Sequence, residues 1–236
     1  MTELVVALDF DREDRALAAA HSLRPSVRWF KVGLELFTAA GPGIVSRLKD
    51  MGCLVFLDLK FMDIPNTVYG AVKSACRLQV DMLTVHILGG TDMLASALRA
   101  RNEYGQGPRI MGVTLLTSLD RASLAWPEVR SELEIVVDLA DKGHGSGLDG
   151  LVCSGRELSH LSGRFPDNFE FVTPGIRLPG RNEASDQKRV YTPQQAARDG
   201  ADYIVVGRPV TRASDPRAAA RDFLQTITAA NSGEGI

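Results

Sequence analysis

The stretch FLDLKFMDIPNT, Phe56–Thr67, decides how this chain is read. Just upstream, CLVFL is an unbroken apolar run, the mark of a strand covered on both faces. The run ends abruptly in Asp58, Lys60 and Asp63, and Pro65 follows soon after. Asp58 and Lys60 are two residues apart, so they share one face of the strand. Stripping an ion of water costs several kcal/mol, and an opposite charge at about 4 Å recovers roughly 4 kcal/mol at an effective dielectric of 20. Acid, base and acid at a buried strand tip must therefore alternate in sign around a common site. Function is the usual reason for keeping such a network.

Outward from that strand, Val/Ile/Leu-rich runs recur. Four precede or include it and follow on: Leu4–Leu8, Trp29–Gly33, Cys53–Leu59 and Met82–Ile87. Four more lie at Arg109–Leu116, Gly150–Ser154, Phe169–Ile176 and Asp202–Gly207. Helical patterns separate them. Asp11–Leu23 opens with acids suited to a helix N-terminus, and GPGIVSRLKDMG closes on a glycine stop. NTVYGAVKSACRLQ, TDMLASALRARNEYG, SELEIVVDLADKG, TPQQAARDG and DPRAAARDFLQTITAA continue the alternation. Eight strand–helix units without a hairpin signal predict a parallel sheet. A doubly wound sheet also fits, but its first strand usually leads into a glycine-rich loop, and ALDFDRED contains no glycine. The expected fold is an α/β protein, a closed (β/α)₈ TIM barrel.

At 236 residues, 44% of them hydrophobic, the chain suits one such barrel, expected over residues 1–230 with a frayed tail at 231–236. Twenty-seven basic residues against 29 acidic ones leave a net charge of −2, which speaks against nucleic acid as a partner. No apolar stretch approaches the roughly 20 residues of a membrane span, and MTELVVALDF lacks the pattern of a secretory signal. Cys53, Cys76 and Cys153 are odd in number and far apart, as expected for reduced thiols in the cytoplasm. The four histidines form no ligand pair, and no metal site is expected.

Barrel chemistry sits at the C-terminal ends of the strands. There the chain places Asp9, Lys31, Asp58, Lys60, His86, Thr114, Thr117 and the pair Gly207-Arg208. Each has a plainer reading alone. Asp9 also fits a helix cap, Lys31 a side chain reaching to a rim, and His86 a core residue, so His86 is left out of the candidate site. Several acids and two lysines at neighbouring strand ends outweigh those readings together. A second corner is formed by VVGRPV and TPGIR. Gly207 allows close backbone approach, Arg208 and Arg177 supply fork-shaped donors, and Pro174 and Gly175 turn the chain beside them. Barrels often bind phosphate after strands seven and eight, so a phosphate ester is the expected ligand. The long segment Arg177–Tyr191 reads as a lid.

DLKFMDIPNT resembles the DxKxxDIPxT signature of the orotidine 5′-phosphate decarboxylase family. ALDF, KVGLELF, VTLLTS, GLDGLVCS, VTPGIR, DQ and VVGRPVT resemble the bacterial form in the same order, over nearly the whole chain. The resemblance implies a dimeric (β/α)₈ barrel that makes UMP without metal or organic cofactor. It implies that Lys60 is the general acid, that Asp58 lies beside the substrate carboxylate, and that Asp9 and Lys31 hold the ribose. Asp63, Ile64 and Thr67 belong to the same signature, with Asp63 and Thr67 reaching the neighbouring subunit's site. Thr117 is implied at the pyrimidine, and Arg177, Gln187, Gly207 and Arg208 at the phosphate.

Two other readings are open to a barrel of this kind. A 3-keto-L-gulonate 6-phosphate decarboxylase shares the DxKxxD array but resembles a Mg²⁺ enzyme with a glutamate ligand on strand two, where this chain has Lys31. A non-catalytic nucleotide-binding barrel would keep the phosphate corner without needing Lys60 between acids.

Overall fold

A computed structural model of the chain describes residues 1–117, 131–179 and 191–231. Its strands are β1 (Glu3–Ala7), β2 (Trp29–Gly33), β3 (Leu54–Phe61), β4 (Met82–His86), β5 (Arg109–Val113), β6 (Gly150–Val152), β7 (Glu170–Pro174) and β8 (Tyr203–Val206). Every strand pairs in parallel with the next, and β8 returns to β1, closing the barrel. The helices are α1 (Glu13–Leu23), α2 (Leu34–Ala40), α3 (Gly43–Asp50), α4 (Pro65–Arg77), α5 (Thr91–Tyr104), α6 (Glu132–Ser146), α7 (Gly155–Leu161), α8 (Pro193–Arg198), α9 (Arg208–Thr211) and α10 (Pro216–Asn231).

The unbroken apolar character of the strands now has its cause. Val5, Ala7, Phe56, Met82, Met111 and Val205 fill the barrel interior, while their neighbours Leu4, Val6, Leu57, Leu83, Ile110 and Val206 pack outward under the helices. Both faces are dry, so apolar residues occupy both parities of each strand. Phe56, Asp58 and Lys60 continue the inward parity of β3, which carries the two charges from the packed interior into the barrel mouth.

The structure differs from the sequence expectation in several places, and β5, β6 and β7 end two or three residues short of their expected bounds. β3 runs on to Phe61 instead of stopping at Leu59, and it does so through an irregularity. Leu57 pairs with Leu83 and Phe61 with Val85, so four steps along β3 match two along β4. Lys60, inside this bulge, takes φ +51°, a left-handed conformation that costs a non-glycine residue about 1–2 kcal/mol. Bulges beside active sites re-aim side chains in this way. Three helices, α2, α7 and α9, are absent from the expected set. At α7 the Ser154 N–H donates to the Glu157 carboxylate at 2.7 Å, half of a capping box whose S-x-x-E pattern stands in the sequence.

Candidate active site

Two cavities open at opposite ends of the barrel. The larger, about 910 Å³, lies at the N-terminal ends of the strands between Trp29, Lys49, Asp81, Arg109 and Tyr203. Its charges are matched locally, with Lys49 on Asp81 at 2.6 Å, Arg109 on Glu170 at 3.1 Å and Arg28 near Glu3 at 3.8 Å. The smaller, about 270 Å³, lies at the C-terminal ends. It gathers Asp9, Lys31, Asp58, Lys60, Thr117, Pro174, Arg177, Gly207 and Arg208 into one lining, together with Phe56, Val113, Leu115 and Gly175. We take the smaller cavity as the candidate site, because the side chains that carry chemistry converge there rather than pairing off along the wall.

The charges alternate along the mouth. Lys31 Nζ lies 3.1 Å from Asp9 Oδ1 and 3.6 Å from Asp58 Oδ2, and Lys60 Nζ donates to Asp58 Oδ1 at 2.7 Å. Asp58 and Lys31 keep only 12% of their side-chain surface exposed, so water contributes little to holding these ions apart. Burial by itself raises the Asp58 carboxyl. The pull of Lys31 and Lys60, with hydrogen bonds from Lys60 and Thr84, outweighs it and holds the group below its ordinary range. The carboxylate is thus the hub of the network, ionised between two ammonium groups.

Local backbone makes room for it. A Cβ on Gly33 would fall 2.7 Å from Lys31 Nζ and 3.4 Å from Asp9 Oδ1, so glycine at the end of β2 lets the ammonium lie against the chain. Thr84, fully buried on β4, accepts the Lys60 N–H at 2.9 Å and donates to Asp58 Oδ1 at 3.1 Å. Thr84 carries no signal in the sequence, because a lone threonine in MLTVHI reads as ordinary strand composition. His86, two residues further along the same face, reads from the sequence as a core residue. The structure leaves its Nδ1 buried without a hydrogen-bond partner among the described residues. Burial, then Lys60, lower its pKa, with Asp58 opposing, so the imidazole is neutral near pH 7. Thr114 is buried and donates to the Val152 carbonyl at 3.3 Å, a structural role.

At the opposite wall, Gly175 turns the chain with φ +82°, and Arg177 follows. The Arg177 N–H donates to the Tyr191 carbonyl at 2.9 Å, and Ile176 forms a bridge to Tyr191, which ties together the two ends of the expected lid. Gly207 faces Ala7 and Asp9, where a Cβ would lie 3.5 Å from each side chain, and α9 begins at Arg208. Gln187 and most of the expected lid lie outside the described residues, as do residues 232–236 of the expected tail.

Asp63, Ile64 and Thr67 do not join the cavity within this chain. All three are exposed at the start of α4, and Asp63 Oδ1 accepts the neighbouring Ile64 N–H at 2.6 Å. The network within this chain therefore runs Asp9–Lys31–Asp58–Lys60, without Asp63, its expected third acid. Among the described residues no group of three or more His, Cys, Asp or Glu side chains is arranged to hold a metal ion. No described helix is long and apolar enough to cross a membrane.

Comparison with known proteins agrees with this geometry. The chain is 48% identical over 234 residues to the orotidine 5′-phosphate decarboxylase of Nitratidesulfovibrio vulgaris, covering 97% of this chain and 99% of that one. It is 44% identical over 232 residues to the enzyme of the same name from Lawsonia intracellularis, covering 96% and 100%. Its structure matches the crystal structure of orotidine 5′-phosphate decarboxylase from Lactobacillus acidophilus with a TM-score of 0.82 at 36% identity, over 97% of this chain and all of the other. The model of the orotidine 5′-phosphate decarboxylase / HUMPS family matches residues 2–223. With the barrel, the ion network and these matches in agreement, the chain belongs to that family.

Proposed function

We propose that this chain is an orotidine 5′-phosphate decarboxylase, acting as a single catalytic domain over residues 1–230 and converting its substrate to UMP and CO₂. The reading rests above all on Lys60, whose ammonium is held 2.7 Å from the Asp58 carboxylate in a cavity with arginines on its far wall. When CO₂ leaves C6 of orotate, the bonding pair stays in the ring plane, where the π system cannot delocalise it. A fixed cation at that point stabilises the growing charge, and the same ammonium then transfers a proton to C6. The amine left behind takes a proton from water.

Asp58 holds the Lys60 ammonium in place at 2.7 Å and disfavours a second carboxylate nearby, while Asp9 and Lys31 hold the ribose hydroxyls. Thr117 faces the pyrimidine. Pro174, Arg177, Gly207 and Arg208, with Gln187 from the lid, form the phosphate corner. Phosphate binding, remote from C6, supplies energy for closing the site. The proposed reaction draws on no cofactor, and Lys31 sets its ammonium between Asp9 and Asp58, where the gulonate-type enzyme would need a glutamate ligand for Mg²⁺.

An absorbance assay of orotidine 5′-phosphate loss in EDTA-treated buffer tests the reading. Turnover without added metal is expected. Folded protein that binds UMP but leaves the substrate intact would make the chain a nucleotide-binding barrel, and activity abolished by EDTA would favour the metal-dependent gulonate-type reaction. Arg208→Ala is expected to raise KM about 10- to 100-fold, the loss of a charge-assisted hydrogen bond to phosphate, with a smaller effect on kcat. An unchanged KM would remove Arg208 from the phosphate site.

We read the working form as a cytoplasmic homodimer. Leu34, Met62, Ile64, Leu88 and Leu116 are exposed large apolar residues, 37–68% accessible, and they follow the C-terminal ends of β2, β3, β4 and β5. An apolar rim on four neighbouring strands beside the cavity suits a second copy of the chain, which would bring its Asp63, Ile64 and Thr67 to the mouth.

A further inference from the structure

We propose that Thr84 is a positioning residue for proton delivery, its one hydroxyl clamping both the backbone of Lys60 and the carboxylate of Asp58 to β4. This rests on the function proposed above and extends it to a side chain beyond the cavity lining. The hydroxyl is fully buried and uses one donor and one acceptor. It accepts the Lys60 N–H at 2.9 Å and donates to Asp58 Oδ1 at 3.1 Å, the same oxygen that takes the Lys60 ammonium at 2.7 Å. A closed circuit results: Lys60 backbone, Thr84 hydroxyl, Asp58 carboxylate, Lys60 ammonium.

The circuit sits where strand pairing fails. Between Leu57 and Phe61 the β3–β4 register slips, and Lys60 takes φ +51°. A side-chain hydroxyl substitutes there for a ladder acceptor and secures a conformation that lysine seldom adopts. Without it, the part-buried Lys60 amide loses its acceptor and Asp58 loses a donor. The backbone is then free to relax toward extended geometry, carrying the ammonium away from C6.

Three variants separate this role from packing. Thr84→Val keeps the shape and removes the hydroxyl, so kcat is expected to fall about 10- to 100-fold, the scale of a misplacement near 1 Å. UMP affinity is expected to hold, because the ribose and phosphate contacts lie elsewhere. Thr84→Ser keeps the hydroxyl and loses the methyl, and is expected to recover most of kcat. A packing role reverses that order, since valine retains both branches, and serine no better than valine overturns the proposal. Should valine prevent folding, Thr84→Ala against Thr84→Ser makes the same comparison, and equal kcat values overturn it. A crystal structure of a hydroxyl-free variant in which Lys60 keeps its left-handed backbone and its Asp58 contact also overturns the clamp, whatever the activity. Wild-type protein that fails to decarboxylate orotidine 5′-phosphate defeats the functional reading instead, and that crystallographic comparison still decides the clamp.

Discussion

Lys60→Ala is expected to lower kcat by about 10⁴-fold or more, since in the proposed mechanism one side chain supplies both the cation facing C6 and the proton that follows. Two losses combine in one substitution, which is why its effect should exceed that of any phosphate or ribose contact. The fold should persist. Asp58 would lose its 2.7 Å partner but keep Lys31 at 3.6 Å and the Thr84 hydrogen bond, so the carboxylate is not left buried and alone. Circular dichroism and calorimetric titration with UMP check that the site still forms. Single-turnover absorbance change then isolates the chemical step. A rate within tenfold of wild type would remove Lys60 from the role assigned to it.

That substitution was legible from the sequence alone, and the reason is physical. A buried strand tip carrying Asp58 and Lys60 violates the rule that charges avoid dry surroundings, and such violations single out sites. The eight strands were legible for a related reason. Both their faces are covered, so runs such as MLTVHI and YIVV stand out against polar connections. What escaped notice depended on geometry that no residue type announces. Lysine has no preference for φ +51°, so the bulge at Lys60 had no local signal, and with it went the reach of β3 to Phe61. Thr84 became significant only when the register slip set its hydroxyl between Lys60 and Asp58. Helix α7 was detectable, because Ser154 and Glu157 stand in capping-box spacing, but it is only 7 residues long and its periodicity is weak.

Asp63 poses the reverse problem, a residue legible as part of the signature yet outside the cavity of its own chain. Mixing Lys60→Ala with Asp63→Ala protein is expected to restore activity from near zero, provided subunits exchange. If each mouth combines Lys60 of one subunit with Asp63 of the other, a hybrid dimer has one site intact and one doubly impaired. Random exchange makes half the dimers hybrid, so about a quarter of all sites become competent under two-fold symmetry. The expected kcat per site is therefore about a quarter of wild type, against almost none for either variant alone. Exchange is verified independently, by native mass spectrometry of tagged subunits, before activity is read. Confirmed hybrids without recovered turnover would confine each site to one chain. Asp63 would then belong to the turn it now occupies, accepting the Ile64 N–H at the head of α4. Recovery at the expected fraction would instead explain why Met62 and Ile64 stand 54% and 68% exposed beside it. Apolar side chains flanking an acid that must cross to a neighbour are what a shared interface requires.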